Sequence, residues 1–352
     1  MNKTRRSFLK TGLLAAAMPL LPNVAFSENT AQPAVLLPKA LKPGDTIGLI
    51  TPASPLFEAK RTLMEAEQNL ARLGFKTKAA KNIFKKHGYL AGSVQERVND
   101  LHDMFLDPQV QAIMTIRGGY GSAQLLPHLD YQLIKNNPKI LIGYSDITSL
   151  LAGIHAKSGL VTFHGPVAVS TFTDFTKEYF FKTLTSGQAV GLIDSESFAS
   201  ENSSIDHVLT LHKGKAEGRL IGGNLTLMQS LIGTPYDFNG DGAILFFEEV
   251  GEEPYDLDRI LNHMKQAGKF DKCKGVFFDR LDSTRPSSYR PAFNSSLSVE
   301  EVLENVFKDF DFPVCIGFSI GHIKDKPTLP LGLRARLDAD RKQISILEPA
   351  VS

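Results

Sequence analysis

An α/β fold built on a mostly parallel sheet is what this sequence predicts, and three observations carry that reading. From Asp45 onward, short apolar runs alternate with segments of helical period, the signature of layered α/β structure. The clearest helical segment, Phe57 to Leu73, repeats Leu63, Ala66, Leu70 and Leu73 on one face and stops at Gly74. The apolar runs are separated by stretches long enough for right-handed crossovers, which makes neighbouring strands parallel and gathers functional groups at their carboxyl ends.

Taken in order, the expected strands of the first half are Thr46 to Ile50, Ala112 to Ile116, Ile140 to Gly143 and Leu160 to Phe163. A second helix is expected over Val94 to Leu106 and a third over Asp146 to Ala156. From Ser186 to Asp206 the apolar period disappears and serines interleave with acids, which reads as a linker. Beyond it, Ala243 to Phe247, Gly275 to Phe278 and Val314 to Phe318 are strand-like, and Leu257 to Ala267 and Val299 to Phe307 helix-like. The polar stretch from Leu281 to Ser298 exceeds an ordinary connection and reads either as a substrate loop or as a surface insertion. The expected organisation is therefore a signal segment over 1–27, a first domain over 40–185, a linker over 186–206 and a second mixed α/β domain over 207–350.

The chain has 352 residues, 42% of them hydrophobic, enough for about two domains with real cores. Residues 1–27 carry Lys3, Arg5, Arg6 and Lys10 without an acid, then an apolar stretch from Thr11 to Leu21, then Ala25-Phe26-Ser27 as a small-residue exit. This reads as a removable export signal, too short in its apolar part to anchor the protein in a membrane. Arg5-Arg6 followed by Ser7-Phe8-Leu9-Lys10 is similar to the twin-arginine consensus, which implies use of the twin-arginine export machinery and a periplasmic destination. Without those four bases the formal charge falls from +1 to −3, which lacks the basic balance of a nucleic-acid binder. Cys273 and Cys315 lie far apart in apolar runs and read as buried free thiols, and no His-Glu-x-x-His or clustered Cys/His spacing points to a metal.

The most informative stretch is Ile140 to Thr148, where an apolar run ends in Gly143-Tyr144-Ser145 before a helical segment. Two readings fit Ser145: an N-cap for that helix, or a nucleophile presented on a strand-to-helix turn. The nucleophile-elbow pattern is half met, since Ile147 stands where the second glycine belongs. The loop Arg117-Gly118-Gly119-Tyr120-Gly121 follows another strand. Its spacing fits neither nucleotide-binding fingerprint; it suits either a tight turn or an oxyanion hole made by the N–H groups of Gly119 and Asp146. A base would come from His322 or its rival His164, each just beyond an apolar run. The orienting acid would come from Glu248 or Glu249 at the end of Ile244-Leu245-Phe246-Phe247, which read equally well as solvated turn carboxylates.

These pieces, together with Gly222-Gly223-Asn224-Leu225, Gly233-Thr234-Pro235-Tyr236, Asp258-Arg259 and Gly317-Phe318-Ser319-Ile320-Gly321-His322, occur in the order found in LD-carboxypeptidases of the serine peptidase kind. The chain resembles that family, which includes murein tetrapeptide carboxypeptidases and microcin C immunity proteins, from about Ala40 to Leu347. The resemblance implies a flavodoxin-like first domain carrying Ser145 as nucleophile and a smaller second domain supplying Glu248 and His322, with Glu249 standing where aspartate is common. It also implies a homodimer, no metal or organic cofactor, and release of terminal D-alanine from a murein tetrapeptide or muropeptide. Alternatives from the same reading are an immunity-like amidase acting on peptidyl or aminoacyl nucleotides and a periplasmic module that binds murein peptides without cutting them. A nucleotide-binding oxidoreductase is more distant.

Overall fold

Two sheets carry the fold, and the carboxyl ends of their parallel strands meet at one place. The computed structural model describes residues 34–193, 207–281 and 284–352; the expected export signal and residues 194–206 of the expected linker lie outside these. The first half runs β1 (Thr46–Ile50), α1 (Ala59–Arg72), β2 (Lys76–Ala79), α2 (Val94–Leu106), β3 (Ala112–Thr115), α3 (Tyr131–Asn136), β4 (Ile140–Gly143), α4 (Thr148–Ser158), β5 (Phe163–His164) and α5 (Asp174–Thr185). The second half runs β6 (Ala189–Ile193), β7 (Leu209–His212), β8 (Lys215–Asn224), α6 (Leu225–Ser230), β9 (Ala243–Glu248), α7 (Pro254–Gln266) and β10 (Gly275–Asp279). It ends with α8 (Val299–Phe307), β11 (Val314–Phe318), β12 (Leu329–Pro330), β13 (Arg334–Asp338) and β14 (Gln343–Pro349).

In the first sheet β2, β1, β3, β4 and β5 lie side by side and parallel, the flavodoxin-like order, with β12 antiparallel on the outer edge of β5. β3 and β4 are buried along their whole length, which is why they read as unbroken apolar runs. The edge strand β2, Lys-Thr-Lys-Ala, is half exposed and gives no such signal. The second sheet has the order β6-β14-β13-β8-β9-β10-β11-β7, parallel from β8 to β11 and antiparallel at both flanks. Its centre is aromatic: Phe246, Phe247, Phe277, Phe278 and Phe318 are fully buried and pack ring against ring.

Several elements begin where capping chemistry dictates. Ser93 and Glu96 close a capping box at α2, and Ser298 with Glu301 does the same at α8. Pro254 opens α7 at its first turn, three residues earlier than the sequence pattern suggests, because its missing N–H costs nothing there. Within the stretch read as a linker, Ala189–Ile193 is instead a strand paired with β14, burying Val190 and Ile193. The helix expected to start at Asp146 begins as a 3-10 turn over Ser145–Ile147 and becomes α-helical at Thr148. In the expected loop after Leu281, residues 284–298 form no helix or strand; Phe293 packs edge-on against Tyr255 and the Ala292 N–H donates to Glu253. Among the described residues no helix is long and apolar enough to cross a membrane.

Candidate active site

Ser145 leaves β4 in the left-handed region, at φ 63°. A non-glycine residue held there costs roughly 1–3 kcal/mol and persists only where its surroundings fix it. Gly143, two residues earlier, is required by space: a Cβ would stand 2.6 Å from Thr115 Oγ1 and 2.8 Å from Ile147 Cγ2. The turn is thus pressed tightly against its own helix, and Ser145 points out of it. Its hydroxyl caps no helix; it lies 3.1 Å from His322 Nε2.

The glycine loop is tied to this turn by Asp146, whose buried carboxylate accepts the N–H groups of Gly121 at 3.1 Å and Ser122 at 2.9 Å. The Ser122 hydroxyl donates to the Asp146 carbonyl in return. Gly118 lies so close that a Cβ would sit 3.2 Å from Ser145 Cβ and 3.5 Å from Asp146 N. At Gly119, with φ 122°, a Cβ would strike the Ser54 hydroxyl, which accepts the Tyr120 N–H. Among the described residues, the N–H groups of Gly119 and Asp146 have no hydrogen-bond partner, so both remain available to a ligand oxygen. Arg97 was not singled out from the sequence. Its buried guanidinium donates to the carbonyls of Pro52 and Gly121 and to Gln124, clamping the loop from below. Its spacing with Leu101 and Met104 on the apolar face of α2 is the signal that was there to find.

Glu248 ends β9 fully buried, and its Oε2 accepts from His322 Nδ1 at 2.6 Å. With Nδ1–H committed to a carboxylate, Nε2 carries the free lone pair and accepts from the Ser145 hydroxyl. The adjacent Glu249 turns the other way: it accepts from Asn224 Nδ2 and from the N–H and hydroxyl of Thr226, at the start of α6. His322 reaches this position because residue 321 is glycine. A Cβ there would lie 2.0 Å from Asp279 Oδ2 and 2.9 Å from Glu248 Cβ.

His164, the rival base, is buried behind the site with Nε2 2.8 Å from the Ile320 carbonyl. Burial pushes its pKa down, against the pull of Glu248 and of that carbonyl. It is therefore a neutral imidazole donating to Ile320, two residues before His322, and it holds that loop in place. Tyr144 contacts both imidazoles, its ring 4.9 Å from that of His322 and 6.3 Å from that of His164. Cys273 and Cys315 are buried free thiols, their pKa values pushed up by burial to about 12 and about 11. Among the described residues no group of three or more His, Cys, Asp or Glu could hold a metal ion.

Residues 47–165 match the LD-carboxypeptidase N-terminal domain and residues 217–337 the LD-carboxypeptidase C-terminal domain. Over 315 residues the chain is 39% identical to a probable murein peptide carboxypeptidase of Bacillus subtilis, covering 90% of this chain and 95% of that protein. It is 36% identical over 344 residues to the microcin C7 self-immunity protein MccF of Escherichia coli, covering 90% and 97%. The wild-type apo structure of that protein superposes with a TM-score of 0.79 at 33% identity, over 90% of this chain and 100% of that one; it has also been solved in complex with aspartyl sulfamoyl adenosine. A muramoyltetrapeptide carboxypeptidase from Oxalobacter formigenes superposes with a TM-score of 0.71 at 28% identity, over 86% of this chain and 97% of that one.

The space at Gly321 yields a test of the geometry. Gly321→Ala is expected to displace His322 and to lower peptide hydrolysis at least about 100-fold, the cost of roughly 1 Å of misplacement, while the protein stays folded. Steady-state kinetics beside a thermal melt measure this; unchanged kinetics would show that the His322 position tolerates the added methyl.

Proposed function

The chain belongs to the LD-carboxypeptidase family of serine peptidases, and from that premise we propose that it releases the terminal D-alanine of murein tetrapeptides by acyl transfer through Ser145, His322 and Glu248. The observation that carries the reading is the continuous hydrogen-bonded line from Ser145 Oγ to His322 Nε2 and from His322 Nδ1 to Glu248 Oε2. In this scheme Nε2 takes the hydroxyl proton as Oγ attacks the carbonyl carbon linking the diaminopimelate L-centre to D-alanine. The tetrahedral oxyanion is received by the N–H groups of Gly119 and Asp146. The C–N bond then breaks, Nε2 returns the proton to the departing amine, and water, deprotonated by the same nitrogen, frees the tripeptide from Ser145. Glu248 holds the imidazole in the required tautomer and stabilises its charged form.

A second reading has its own support in the likeness to the microcin immunity protein: hydrolysis of an amide bond in a peptidyl or aminoacyl nucleotide by the same three residues. The purified protein, beside its Ser145→Ala variant, separates the two. Incubated with L-Ala-γ-D-Glu-meso-diaminopimelate-D-Ala, the unmodified protein is expected to release D-alanine and the variant to be slower by at least about 10⁴-fold, read by mass spectrometry. An intact tetrapeptide with a cleaved aminoacyl nucleotide would favour the second reading, and neither product would favour a binding module.

Twin-arginine export, action in the periplasm on stem peptides, and a homodimer are carried forward as parts of this proposal. They are supported by the basic, apolar and small-residue succession of residues 1–27 and by the family resemblance. Cell fractionation is expected to find a shortened chain in the periplasm; full-length protein confined to the cytosol would reverse that assignment.

A further inference from the structure

Lys326 is a buried side chain near the site whose chemistry the mechanism above leaves unused. It is 5% exposed, and its ammonium lies 5.0 Å from the centroid of the Tyr144 ring, the residue before the nucleophile. Among the described residues it makes no hydrogen bond or ion pair with its side chain. Its backbone N–H donates to the Thr176 hydroxyl on α5, which fixes the loop that carries it. The ammonium packs on the Tyr144 ring beyond β4, and the titratable groups near enough to act on its charge are Glu248 on β9, Asp325 next to it in the chain and His164 on β5; the Tyr144 ring also contacts His322. Of these only Glu248 and Asp325 carry carboxyl groups. Glu248 is fully buried, and its second oxygen, Oε1, has no hydrogen-bond partner among the described residues.

A buried carboxylate with one oxygen unsatisfied is costly unless a cation stands near it. His164 is neutral, and His322 must be neutral to act as a base. We infer that Lys326 is a positioning residue for hydrolysis: its ammonium, held on the Tyr144 face, supplies the fixed positive charge that stabilises the Glu248 carboxylate and so keeps His322 oriented toward Ser145. Lys326 touches no reacting atom and acts through Glu248. Burial lowers its own pKa to about 8, with Glu248 and then Asp325 pulling the other way. The ammonium is therefore present below about pH 8 and lost as the pH rises through that value, and its support of Glu248 disappears with it.

This inference rests on the triad reading, so its test starts from the mature protein with demonstrated D-alanine release and an inactive Ser145→Ala variant. kcat and KM for the tetrapeptide are then measured from pH 5 to 10 for the unmodified chain, Lys326→Met and Lys326→Arg. Lys326→Met is expected to lower kcat about tenfold or more with KM little changed and no inflection near pH 8. Lys326→Arg, whose charge does not titrate in this range, is expected to recover most of the rate and to lose the alkaline decline. If the methionine variant fails to fold, the alkaline limb of the unmodified chain against that of Lys326→Arg still decides. Superimposable pH profiles, or an effect confined to KM, would overturn the inference, the latter showing that Lys326 binds substrate directly. Cleavage of neither the tetrapeptide nor an aminoacyl nucleotide by the unmodified chain would remove the triad reading and this inference together; cleavage of the nucleotide conjugate alone would move the same pH profiles to that substrate.

Discussion

The hydrogen bond from His322 Nδ1 to Glu248 Oε2 has to coexist with one from the Ser145 hydroxyl to His322 Nε2, although the serine follows a strand of one sheet while Glu248 ends one strand of the second and His322 follows another. A single imidazole therefore ties the two sheets together at the site. Much of the surrounding structure serves that constraint. Where β8 ends, Gly223 lies against Thr148 of α4, and the Asn224 N–H donates to the Thr148 hydroxyl at 2.9 Å. On either side of His322 the chain is tied to the first sheet: His164 bonds to Ile320 before it, and after it Thr176 bonds to the backbone of Lys326, Thr183 to the carbonyl of Thr328, and β12 pairs with β5. Each such bond contributes only about 1 kcal/mol net, but together they leave the His322 loop little freedom to shift.

The same stitching explains why Ser145 can remain in the left-handed region. The local cost of its backbone is offset by Asp146, which accepts two N–H groups from the glycine loop, and by Arg97, which holds that loop from its buried side. The result is a serine standing clear of its own backbone, with two unspent N–H groups beside it. The arrangement is pre-formed, so no reorganisation is needed when a carbonyl enters.

Much of this was legible in the sequence. β1, β4, β11, α2 and α8 fall on the expected residues because apolar runs buried on both faces and capping boxes are local signals. The ordered motifs placed Ser145, Glu248 and His322 as residues to examine, and the geometry brings the three side chains together. What could not be read depends on partners far along the chain. β2 and β8 are polar or glycine-rich, and β6 sits in a stretch that looks like a linker until β14 pairs with it. Glu248 and Glu249 are indistinguishable by position, and only the location of Asn224 and Thr226 separates them. Lys326 lies in a short charged run with no periodicity, and its burial beside Tyr144 follows only from the return of the chain to the first sheet.

If His322 and Glu248 activate Ser145, one serine among all those in the chain is nucleophilic. Covalent labelling by a fluorophosphonate followed by peptide mass mapping tests it most directly, because the reagent requires no knowledge of the substrate. A single phosphonyl group is expected on Ser145, with the labelling rate falling steeply in a His322→Ala variant. Labelling of another residue, or an equal rate without the imidazole, would contradict it.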